Sequence, residues 1–208
     1  MRINNNKSPV LWFGFLMTIV FIISTLGPPE ATLGSSARIV YLHGAWVWVS
    51  LFAFIAAGAA GLLSLYIWVT TKKLSPVGQW SRAFGRTGLV FWVTYLPLSL
   101  WAMQSNWNGL FLAEPRWRIA VIFAISGTLL QLGLSLLPLN WSSFWNPIFV
   151  LALFTTVRLS DQVMHPDSPI LNSTAWRIQI FFFGLLLLLM GAAWQMTKWF
   201  HSKELKGN

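Results

Sequence analysis

The side chains able to do chemistry are few: three histidines, five carboxylates and no cysteine in 208 residues. His43 stands in Arg38-Ile-Val-Tyr41-Leu-His43-Gly-Ala-Trp46-Val-Trp48, and His165 in Asp161-Gln-Val-Met164-His165-Pro-Asp167-Ser-Pro169. Two imidazoles brought together from separate segments can supply both axial nitrogens of a haem iron. Aromatic rings then cover the porphyrin faces, and arginines pair with its propionates. Each signal alone has a plainer reading, because a single histidine at a membrane surface is more often a hydrogen-bonding group and tryptophan there is usually part of an interfacial belt. His201 lies in a basic tail and reads as a solvated helix-end residue. The absence of cysteine excludes disulfides, thiolate metal sites, cysteine nucleophiles and the C-x-x-C-H attachment motif, so the chain is not itself a c-type cytochrome. No Gly-rich phosphate loop, H-E-x-x-H, G-x-S-x-G or paired intramembrane carboxylates occur, and the expectation is a protein that is not an enzyme.

Lipid is the solvent these residues imply. The chain is 56% hydrophobic and 9% charged, too few polar groups to cover a water-soluble globule of this size. Glycine (15), proline (10) and tryptophan (14) are all generous, as transmembrane bundles allow. The net charge of +9 does not point to nucleic acid, because the basic residues flank hydrophobic segments and form no stripe.

Stretches long enough for a bilayer core of about 30 Å run from Pro9 to Gly27, Ile39 to Thr71, Thr87 to Gln104, Trp117 to Leu137, Phe144 to Val157 and Trp176 to Phe200. The expected fold is therefore an all-α polytopic membrane bundle, one domain over residues 1–208, with six spans in the cell (inner, cytoplasmic) membrane. The fifth stretch is the weakest, with a short core and Asn146-Pro147 and Arg158 at its flanks. The first, preceded by Arg2 and Lys7, reads as an anchor, since Gly27-Pro28-Pro29 is a poor signal-peptidase site.

Orientation follows from Lys and Arg in the short loops. With the N-terminus inside, nine fall on the cytoplasmic side (Arg2, Lys7, Lys72, Lys73, Arg82, Arg86, Lys198, Lys203, Lys206) and five outside (Arg38, Arg116, Arg118, Arg158, Arg177). Both termini are then cytoplasmic, and that face reads as a plain basic fringe. Four of the five acids, with His43 and His165, lie outside. The second stretch would extend about 50 Å as one helix and overshoot the lipid, which places His43 at headgroup level, about 12 Å beyond the hydrocarbon. Its run Ala56-Ala-Gly-Ala-Ala-Gly61 reads as a close helix–helix contact.

A family resemblance adds to this. Pro28-Pro29-Glu30, Gly34, then Arg38-Ile39-x-Tyr41-x-His43 with Trp48 five residues on resemble the haem-handling cytochrome c assembly proteins, in particular the six-span cytochrome c maturation protein C family. The Val-Pro pair usual after that histidine is missing. The family's tryptophan-rich loop, W-G-x-W-W-x-W-D-x-R, is reduced here to Trp107-Asn-Gly109-Leu-Phe-Leu-Ala-Glu114-Pro-Arg116, without the internal tryptophans. The family's second histidine follows the fifth span, where Asn146-Pro147 and then His165 occupy matching places, without the Trp pair expected before it.

The resemblance implies haem b held on the extracytoplasmic side between His43 and His165 as metal ligands, and passed on in cytochrome c assembly. It makes Tyr41, Trp48 and Trp107 the porphyrin lining and Arg38 and Arg116 the propionate partners. Implied partners are haem, other membrane subunits of an export or redox complex, and the bilayer. The alternative is a membrane anchor subunit of a redox complex, haem-binding or haem-free; a third is a purely structural subunit.

Overall fold

The computed structural model describes residues 7–73, 75–160, 170 and 174–207. Within them the chain forms six helices: α1 (Lys7–Ser24), α2 (Ala37–Thr71), α3 (Val77–Trp107), α4 (Pro115–Ser135), α5 (Leu139–Arg158) and α6 (Trp176–Gly207). Local chemistry sets several boundaries. Gly27-Pro28-Pro29 cannot continue α1, because proline lacks the amide hydrogen and its ring clashes with the preceding turn. Thr71 ends α2 at Lys72, whose left-handed backbone (φ 57°) lets its N–H reach the Trp68 carbonyl at 2.8 Å. Pro115 opens α4 behind Glu114, whose carboxylate accepts from the Trp117 N–H at 2.7 Å.

Consecutive helices run antiparallel. Along α2 and α3 the contacts proceed from His43–Tyr95 to Ser50 Oγ on the Gly88 carbonyl (2.7 Å) and Ser81 Oγ on the Ala57 carbonyl (2.8 Å), so one sequence rises as the other falls. Trp92 Nε1 donates to the Ala120 carbonyl at 3.0 Å, and Gln131 meets Asn146, which carries the alternation through α4 and α5. Helix α2 is central, packed against α3, α5 and α6; α1 lies on α6, and α4 on α3 and α5. The connections α1–α2, α3–α4 and α5–α6 therefore gather at one end of the bundle, here termed the histidine end, and the other connections with both outermost helix termini gather at the opposite end.

The interior holds the fully buried rings of Phe54, Phe91 and Phe182, with Phe54 edge-on to Phe149 at 5.1 Å. The outside is also apolar: Leu129, Leu151 and Leu187 are 66%, 69% and 68% exposed, surface that water would not favour. Helices α2, α4 and α6 are long and apolar enough to cross a membrane, and α1 is a shorter apolar helix.

The helices differ instructively from the hydrophobic stretches. Helix α5 spans 20 residues, about 30 Å, beginning at Leu139 instead of near Phe144. Its hydropathy falls short because Ser142, Ser143 and Asn146 are buried toward neighbouring helices. Asn146 accepts from Gln131 Nε2 (2.9 Å) and donates to the Ser81 carbonyl and hydroxyl (3.0 Å each). Helix α3 starts at Val77, ahead of the stretch from Thr87, because Ser81 and Arg82 also turn inward. The Ala56–Gly61 run makes the close contact expected of it: a Cβ on Gly61 would lie 2.9 Å from the Ser143 carbonyl, and one on Gly58 3.4 Å from Val150.

Two expectations for the opposite end are corrected. His201 is no solvated tail residue. Helix α6 continues past it, and its ring stacks on Trp80 at 3.9 Å, with Trp194 stacked on Trp80 at 5.3 Å. That end is also no plain basic fringe. Arg82, buried at 6% exposure, donates to Ser142 Oγ (2.8 Å), the Leu137 carbonyl (2.9 Å) and Glu204 (3.3 Å), and Arg86 pairs with the second Glu204 oxygen.

Candidate functional site

His43 lies in the second turn of α2 at the histidine end, half-buried, with its ring 5.6 Å from that of Tyr95 on α3. The next residue, Gly44, packs against α6 and the α5–α6 connection: a Cβ there would lie in ordinary contact, 3.4 Å from the Phe182 ring and 3.6 Å from Ile170 Cδ1. Ile170, from the α5–α6 connection, is partly buried against the core. Ile170 thus sits on the turn of α2 that bears His43.

His165, with Asp161 and Asp167, lies outside the described residues.

Arg38 and Tyr41 are committed to the α1–α2 connection. Arg38 Nε donates to the Gly27 carbonyl at 2.9 Å, and the Tyr41 hydroxyl donates to the Pro28 carbonyl at 3.2 Å. Tyr41 is 2% exposed, with its ring against Phe181. Between them the chain makes a tight turn: Glu30 and Gly34 exchange backbone hydrogen bonds of 3.1 and 2.8 Å, and Gly34 takes φ +55°, a conformation costly for a side-chain-bearing residue. The Glu30 carboxylate is held below the usual carboxylate range by the Thr32 hydroxyl first and then by the Leu33 and Thr32 amides. Pro28, Glu30, Gly34, Arg38 and Tyr41 therefore act together as a clip that fixes the start of α2.

Trp48 is five residues beyond His43, which turns it about 140° round the helix, and its ring packs on Phe52 at 5.5 Å. Trp107 closes α3, with its ring edge-on to Phe111 at 5.6 Å. Arg116 occupies the first turn of α4 and is half-buried. His43, Trp107 and Arg116 are each engaged in further interactions, so none is a loose surface group. Met103, whose thioether could also ligate a haem iron, is buried on α3. Among the described residues no group of three or more histidines and carboxylates is placed to hold a metal ion.

The residue that sequence reasoning missed is Tyr95. Its signal is faint: one of three tyrosines, placed inside a hydrophobic stretch where an aromatic reads as core. The structure brings His43 and Tyr95 together and places Ile170 beside Gly44, and it separates Trp48 from His43 on the same helix. No protein-family model, no curated protein and no solved structure matches the chain.

Proposed function

We propose that this chain is a six-span membrane protein with cytoplasmic termini that binds haem b at its extracytoplasmic end, between His43 and His165, and passes it on in cytochrome c assembly. The observation that carries this reading is the packing of Ile170 beside Gly44, on the turn of α2 that holds His43. The half-buried imidazole of His43, on an aromatic wall completed by Tyr95, suits an axial ligand better than a fully buried one would. Trp107 and Arg116 stand at the same end, ring and cation for a porphyrin face and a propionate. Haem is cargo here, and the chain's part is to ligate the iron, shield the macrocycle and release it.

The test is spectroscopic. Purified in detergent and loaded with haem, the wild type should show a Soret band, and His43→Ala and His165→Ala should each change it while the protein still inserts into membranes. His201→Ala, at the opposite end, should leave it unaltered. A spectrum unchanged in both outer variants rules out this site and moves attention to Met103 or Met164.

One observation favours the anchor-subunit reading. Arg38 and Tyr41 are tied to the Gly27 and Pro28 carbonyls, which suits a fixed scaffold better than a site that must let cargo go. Transfer of bound haem to an apo-acceptor supports the assembly role; reversible redox cycling without transfer supports the anchor.

A further inference from the structure

Between the start of α4 and the end of α5 the bundle has an open groove of 460 Å³, walled by Ala113, Pro115, Ile119, Thr156 and Leu159, with Arg118 at its edge. Arg118 is exposed, and among the described residues its guanidinium makes no ion pair; the arginines that do are Arg82 and Arg86 at the other end. The nearest carboxylate in sequence, Glu114, is buried and turned onto the Trp117 amide, away from the opening.

Arg118 also heads a stripe. Ile122, Ile125 and Leu129 follow it at spacings of four, three and four residues, the repeat of one helix face, and all three are exposed. An exposed guanidinium above a continuous apolar stripe, beside a groove, complements an anionic headgroup above an acyl chain. Guanidinium groups hold phosphate bidentately. A partner helix would satisfy Arg118 only by placing a carboxylate opposite it, whereas an anionic phospholipid carries its phosphate above the acyl chain already.

We propose that this groove binds one anionic phospholipid, with its phosphate on Arg118 and an acyl chain along Ile122, Ile125 and Leu129. The proposal rests on the membrane reading above and is independent of haem.

The experiment counts lipids. Full-length protein extracted in neutral detergent is equilibrated with phosphatidylglycerol or phosphatidylcholine, and bound lipid per chain is read by native mass spectrometry. Because the basic opposite end can also retain anionic lipid, the readout is the difference between variants. Arg118→Gln should carry one phosphatidylglycerol fewer than wild type, and Arg118→Lys should recover much of it. Thr156→Phe, which fills the groove with the arginine intact, should lose the same lipid. Equal counts in wild type, Arg118→Gln and Thr156→Phe, or equal retention of phosphatidylcholine, overturn the proposal. A chain recovered in the soluble fraction overturns the membrane reading with it, whereas an unchanged count in membrane-extracted protein overturns the groove alone.

Discussion

Among the described residues Glu204 is the only carboxylate of the opposite end, and both its oxygens are taken by arginines of α3. Its side chain is 9% exposed and that of Arg82 8%, so the pair is screened little by water. Removing one partner from such a pair leaves the other charge buried without compensation, which costs about 3 kcal/mol or more. Glu204→Gln should accordingly lower the thermal midpoint in detergent clearly. Arg86→Gln should lower it less, because the Arg86 side chain is 22% exposed and water can take over part of the lost interaction. An unchanged midpoint for Glu204→Gln would show that the cluster carries no stability. None of this was legible in the sequence, where Arg82 and Glu204 stand 122 residues apart and loop counting treats both arginines as fringe. The same distance effect hid the stack of His201 on Trp80. Arg38 and Tyr41 illustrate the reverse case: residue types that suit a porphyrin suit a carbonyl clip equally well, and only the positions of Gly27 and Pro28 show which bonds they make.

At the level of elements, hydropathy located every helix but misjudged those that turn polar residues inward. A window over α5 counts Ser142, Ser143 and Asn146 as lost lipid affinity, although all three are buried against other helices, where polar side chains join helices instead of meeting lipid. The small-residue run of α2 was legible because its meaning is steric and local. It also yields a controlled prediction. A Cβ at Gly61 would stand 2.9 Å from the Ser143 backbone oxygen, and a backbone atom cannot swing aside as a side chain can. At Gly14, on α1, nothing lies within 4 Å of the same atom. Both glycines are helical, so Ala gains similar helix propensity at each, up to about 1 kcal/mol. The difference between Gly61→Ala and Gly14→Ala in unfolding free energy therefore isolates packing, and overpacking of this kind costs about 1–3 kcal/mol. Gly61→Ala should be the less stable of the two by that margin; equal stabilities would mean that α2 and α5 are not in close contact there.

For the whole molecule, the alternation of helices fixes which loops share an end, and the distribution of charge is the ground for the orientation we propose. In the sequence, nine Lys and Arg are counted toward one end and five toward the other. Burial of Arg82 and Arg86 does not weaken that count, because orientation is decided while the segments insert, before Glu204 has been made and can neutralise them. Reporter fusions after Ser105 and after Asp167 should therefore report the extracytoplasmic side, and fusions after Lys73 and at the C-terminus the cytoplasm. The outcome bears on function as well as topology. His43 belongs to the end that the α3–α4 connection shares, through the ring of Tyr95, and Ile170 ties the α5–α6 connection to the same turn of α2. A cytoplasmic signal after Asp167 would set His165 on the far side of the bilayer from His43. Two imidazoles on opposite faces of a hydrocarbon core about 30 Å thick cannot ligate one iron, so that single result would remove bis-histidine haem binding and leave the anchor or structural subunit as the function to pursue.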